Sequence, residues 1–143
     1  METLLYSGKP VLILPQAPVS SVGKRLLVAW NESVEAACAV AAARPLLTRA
    51  ESVHICSCGP ENRLGPKSAS LAQYLTFWSV KCTRSVTKGL DIPKEIEEAC
   101  KKADSDLIVM GAYSRSRMRE LVFGGVTQHM LFHTTSPVFA LHS

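Results

Sequence analysis

A chain of 143 residues makes one hydrophobic core and one domain, and folding it removes roughly 70% of its unfolded surface from water. Hydrophobic residues make up 47% and charged residues 20%, a balance too apolar for intrinsic disorder. The formal net charge of +4 favours small anionic ligands and is too small to argue nucleic-acid binding.

The opening METLLYSGKPVLILPQ has only short apolar runs and no basic region before them, so it reads as neither a signal peptide nor a membrane span. A cytoplasmic location is the expectation. RLLVAW, 25–30, is a first strand, and an alanine-rich helix is expected over 33–47. Asn31 or Ser33 can cap that helix, Glu32 and Glu35 suit its first turn, and Pro45 ends or kinks it. ESVHICSC, 51–58, is a second strand closed by Gly59 and Pro60, with a loop to 70, a helix over 70–79 and a short strand over 80–86.

Ile92, Ile96, Ala99 and Ala103 fall on one helical face, with Asp91 as cap and Pro93 in the first turn. Glu97 with Lys101 and Glu98 with Lys102 are favourable pairs four apart. DLIVMG, 106–111, is a buried strand, 126–133 a helix and 136–141 the last strand. Apolar runs alternating with helical spacing imply a parallel sheet covered on both faces.

LLYSGKPVLIL, 4–14, echoes MLFHTTSPVFAL, 130–141, across a one-residue gap. Either two helix-to-strand junctions look alike by chance, or residues 1–20 are an extension resembling the tail of a preceding, similar domain, with the domain proper at 21–143. In the second case 11–14 pairs with 138–141, of the same chain or of a partner.

Reactive side chains are scattered. Cys38, Cys56, Cys58, Cys82 and Cys100 are odd in number and widely spread, which argues for reduced thiols rather than a disulfide framework. His54, Cys56 and Cys58 alternate along one strand and share a face, a zinc- or copper-like set without a fourth ligand at useful spacing. They read as a buried strand face. His129 and His133 stand four apart without an acidic partner near in sequence and read as a helix face, and no Ser-His-Asp or Cys-His arrangement emerges. Trp30 is a core or rim aromatic or a stacking wall for a ligand, Tyr113 is similarly placed, and Arg115, Arg117 and Arg119 form a basic loop.

The segment DLIVMGAYSRSRMRELVFGGVTQHMLFHTTSPVFAL, 106–141, resembles the C-terminal half of a universal stress protein domain, and LLVAWNES resembles that family's opening strand and helix cap. The resemblance runs from residue 25 to the end, with the middle third carried by element order alone. It implies an α/β, Rossmann-like fold: a doubly wound parallel five-stranded sheet with helices on both faces, here with an extra N-terminal strand. In many members the loop after the fourth strand reads GxxG, nine residues, then Gly followed by Ser or Thr, and binds ATP. The matching positions are Gly111, Ser114, Gly124 and Gly125.

Ser114 replaces the second glycine, Gly125 replaces the phosphate-contacting hydroxyl, and Asn31 stands where nucleotide-binding members commonly carry Asp. Met110, Gly111, Gly124, Val126 and Thr127 keep the pattern. The resemblance implies Asn31 on a ribose, Met110 and Gly111 near the sugar and first phosphates, and Gly124, Gly125, Val126 and Thr127 on the phosphate chain of ATP or another adenine nucleotide, with Mg. Two other readings of the loop stay open: a degenerate loop that keeps only the fold, and a site for a different anion or an interaction surface. The family's habit of pairing domains through the last strand implies a homodimer. No catalytic residue is assigned; any ATP hydrolysis would be slow.

Overall fold

A computed structural model of the chain describes residues 7–112 and 125–142. In chain order the elements are β1 (Val11–Ile13), β2 (Arg25–Trp30), α1 (Val34–Ala42), α2 (Arg44–Arg49), β3 (Ser52–Ser57), α3 (Ser68–Thr76), β4 (Cys82–Val86), α4 (Ile92–Ala103), β5 (Leu107–Gly111), α5 (Gly125–His133) and β6 (Val138–Leu141). The strands form one sheet in the order β1-β6-β5-β2-β3-β4. Strands β2 to β6 are parallel, and β1 adds antiparallel to β6, with Val11 opposite Ala140 and Ile13 opposite Val138. The pairing expected for 11–14 therefore forms within the chain.

Alternate residues of each strand serve two cores. Leu26, Val28, Trp30, Val53, Ile55, Leu107 and Val109 meet α1, α2 and α3 through Ala36, Ala39, Val40, Leu47, Leu71 and Leu75. Leu27, Ala29, Cys56, Ile108, Met110, Val138 and Ala140 meet α4 and α5 through Ile96, Cys100 and Met130, with Val11 and Ile13 packed against them. Burying both faces of the central strands is what turns them into near-continuous apolar runs.

Helix ends follow their caps. Ser33 Oγ accepts from Ala36 N at 3.1 Å, and Asp91 Oδ1 accepts from Lys94 N at 3.4 Å. The single helix expected over 33–47 is two. Pro45 has no N–H to continue α1, and it sits instead in the first turn of α2, where none is needed. Helix α3 starts at Ser68 rather than 70 because the Glu61 carboxylate accepts from Ser68 N at 2.6 Å and Ser68 Oγ at 2.7 Å. It ends at Thr76 rather than 79, where Ser79 turns to φ 60° and Val80 N returns to Leu75 O at 3.0 Å. Asp106 ties the segment between β1 and β2 to the sheet, accepting from Ser21 Oγ at 2.7 Å, Lys24 N at 3.0 Å and Arg25 N at 2.8 Å.

Candidate functional site

Chain direction fixes where a ligand can sit. After β2 the chain crosses to β3 on one side, and after β5 it crosses to β6 on the other, so the carboxyl ends of β2 and β5 flank the switch point of the sheet. A helix joining parallel strands runs antiparallel to them, so α1 and α5 both start at this edge, one on each face. Their first amides have no partner inside their own helices. Such a crevice suits an anion.

The predicted residues divide there by what already holds them. Asn31 follows β2, and its Oδ1 accepts from both Ser33 N, at 3.2 Å, and Ser33 Oγ. Its carbonyl end is thus committed to the turn that starts α1, and the amide Nδ2 is the end a ligand could use. Gly111 ends β5 against α1: a Cβ there would lie 2.4 Å from Ala36 N and 2.5 Å from the Glu35 carbonyl carbon. Its bare backbone lets strand and helix approach. Met110 is buried in the core under α4 and α5.

Helix α5 opens with Gly125, Val126 and Thr127. Among the described residues a Cβ at Gly125 would meet nothing within 4 Å, which leaves room there for a ligand or a side chain. Val126 packs partly on the core and Thr127 is buried. Ser114, Gly124, Tyr113 and the Arg115, Arg117 and Arg119 cluster lie outside the described residues.

The β3 side of the crevice is covered. Trp30 is 2% exposed, and its Nε1–H donates to Pro66 O at 2.8 Å, which makes it a core aromatic. Glu32, at φ 62° and buried, pairs with Lys67, which also donates to the Arg63 carbonyl. Gly65 lies so close that a Cβ would come 1.8 Å from Glu32 O. The loop after β3 is thereby fixed over the end of β2. Glu35, in the first turn of α1, is buried, and its backbone and Cβ lie against Gly111.

The other candidate side chains are also placed. Cys56 is fully buried and Cys58 packs against the same core. Burial pushes the Cys100 thiol up to about 12, with the neighbouring Cys56 and Glu97 adding to it. His129 has the acidic partner that sequence spacing did not reveal: Glu97 Oε1 of α4 lies 3.0 Å from its Nε2. The His129 and His133 rings are 5.2 Å apart. Among the described residues no group of three or more His, Cys, Asp or Glu side chains is gathered to hold a metal ion. No helix is long and apolar enough to cross a membrane among them.

Known proteins agree with this architecture. The model of the Universal stress protein family matches residues 33–142. A universal stress protein from Archaeoglobus fulgidus DSM 4304 superposes with a TM-score of 0.71 at 21% identity, over 93% of this chain and 49% of that one. Hypothetical protein MJ0577 superposes with a TM-score of 0.72 at 19% identity, over 86% of this chain and 98% of its own. For the universal stress protein UspA from Lactobacillus plantarum the TM-score is 0.65 at 16% identity, over 85% and 99%. The chain thus spans about half the length of the Archaeoglobus protein, and at these identities the likeness is one of fold. No curated protein matches it.

Proposed function

The chain belongs to the universal stress protein family, and from that membership we propose that it is a stress-response protein that binds an adenine nucleotide, ATP with Mg, in the crevice between β2 and β5. What supports this reading is the place of the first turn of α5, with the amides of Gly125, Val126 and Thr127, at the carboxyl edge of the sheet beside the switch point, where among the described residues a Cβ at Gly125 would meet nothing within 4 Å. The nucleotide's phosphates take those amides, and Asn31 Nδ2 donates to a ribose hydroxyl. Gly111 acts indirectly, by letting α1 close on β5.

We further propose that the protein self-associates through this sheet. β6 has strand neighbours on both sides, so pairing with a second copy runs along the outer edge of β1. A nucleotide-free scaffold that works through this edge is the second reading, favoured by the covered β3 side and by the hold of Ser33 on Asn31.

Restoring the family pattern tests the first reading. Ser114→Gly with Gly125→Ser should tighten Mg-ATP binding about tenfold, since a hydroxyl hydrogen-bonded to a charged phosphate is worth roughly 1.5 kcal/mol. Mass spectrometry of small molecules released from freshly purified protein should give an adenine nucleotide. Unchanged affinity in the double variant, with no released nucleotide, favours the scaffold.

A further inference from the structure

Two strands away from the crevice, the outer part of the sheet brings together residues 31 apart in sequence. β4 is the edge strand at the far side of the sheet from β1, and its Thr83 and Ser85 share one face, while the Arg84 guanidinium donates to Ser68 Oγ at 3.2 Å. The register sets His54 opposite Thr83 and Cys56 opposite Ser85. The His54 ring spans both hydroxyls: Nδ1 lies 2.7 Å from Thr83 Oγ1 and Nε2 2.9 Å from Ser85 Oγ.

A neutral imidazole has one N–H and one bare nitrogen. With the proton on Nδ1, the ring donates to Thr83, and Nε2 accepts the Ser85 O–H. That is a nucleophile, a base and a group orienting the base, all within hydrogen-bond reach. Partial burial and then the charge of Lys102 lower the His54 pKa, which keeps the ring neutral and able to take a proton. Hydrogen bonds from Cys58 and then from Ser85 lower the pKa of the buried Cys56 thiol, so the Ser85 hydroxyl has sulfur as well as His54 Nε2 within reach. A cavity of about 390 Å³ opens on the group, lined by His54, Thr83, Arg84, Ser85, Ala99, Lys102 and Ala103, with no acidic side chain among these described residues.

We propose that Ser85 and His54, oriented by Thr83, form an acyl-transfer site for small esters whose acyl group carries an anionic end. Ser85 Oγ attacks the ester carbonyl carbon as its proton passes to His54 Nε2. The bond to the alcohol oxygen breaks, and His54 returns the proton to the departing alkoxide. Water, deprotonated by the same Nε2, then attacks acyl-Ser85; that proton goes back to Ser85 Oγ, and the new carboxylic acid leaves and loses its own proton to solvent. Lys102 attracts the anionic end, and the methyl groups of Ala99 and Ala103 bound the acyl chain. Thr83 is a positioning residue that holds the imidazole in the productive tautomer.

Labelling with an alkyl fluorophosphonate, read by peptide mapping, tests the site. The Ser85 Oγ–P bond forms, fluoride leaves and His54 takes the proton. Ser85 should be labelled faster than any other serine of the folded protein, and His54→Gln, which can keep both hydroxyl contacts, should slow labelling about a hundredfold. Thr83→Val should slow it about tenfold and Thr83→Ser should restore it, with circular dichroism confirming the fold. Lys102→Met should lower hydrolysis of the 4-nitrophenyl half-ester of a dicarboxylic acid relative to that of 4-nitrophenyl acetate, so that the ratio of the two rates falls. Ser85 labelling no faster than that of other serines, or equal in His54→Gln, overturns the proposal. If His54→Gln fails to fold, loss on Thr83→Val without rescue by Thr83→Ser does so.

Discussion

The β2–β5 crevice and the β3–β4 edge lie on one sheet and differ in what their polar groups do. In the crevice, side chains expected to meet a ligand mainly hold the fold: Asn31 is tied to Ser33, Gly111 admits α1, and Met110 is in the core. Among the described residues, what remains there for a ligand is the Asn31 amide Nδ2 and the backbone at the start of α5. At the outer edge the polar side chains face one another and a cavity. Position in a fold thus points to one site, and side-chain chemistry to another. The two can serve different ligands.

Substitutions can break this contrast. The largest effect should come from Gly111→Ala, because its Cβ would press on the α1 backbone at Ala36. Overpacking of this kind should cost about 3 kcal/mol, read from the urea midpoint. If stability is unchanged, the glycine is there for a ligand and not for packing. Removing residues 1–15 takes Val11 and Ile13 from the core and bares β6. We expect a loss of about 2 kcal/mol and new self-association in size-exclusion chromatography. Unchanged stability and oligomeric state would show that β1 is dispensable.

A smaller effect concerns the base of the sheet. Burial raises the Asp106 pKa, but hydrogen bonds from Ser21, Arg25, Lys24 and Gly23 outweigh it and hold the carboxyl below its usual range. A carboxyl with a lowered folded pKa stabilises the fold above its unfolded pKa, and that stability is lost as pH falls through the folded value. Asp106→Asn should therefore cost about 1.5 kcal/mol at neutral pH and flatten the acid loss seen in urea unfolding. Gly125→Ser should be the mildest, within about 0.5 kcal/mol, because a Cβ there meets no described residue within 4 Å.

Much of this fold is legible in the sequence, because burial on both faces leaves strands such as RLLVAW and LIVMG as unbroken apolar runs, and because Asp91 and Ser33 cap locally. The echo between the two proline-containing junctions also located the β1–β6 pair. Boundaries failed where a distant group decides them, as Glu61 does for α3. The site was less legible for the same reason. A glycine required for strand-to-helix contact and one required for a phosphate look alike in sequence, and His54 meets Ser85 only through strand register. The alternation of Thr83 and Ser85 beside a His-bearing strand was the available signal.

Calorimetric titration of the purified, nucleotide-free protein with Mg-ATP tests the central claim, that the start of α5 still serves as a phosphate site. Saturable heat with one nucleotide per chain, abolished by a large side chain at Gly125, is the predicted result. No heat up to millimolar Mg-ATP, from protein shown to be folded, would contradict it.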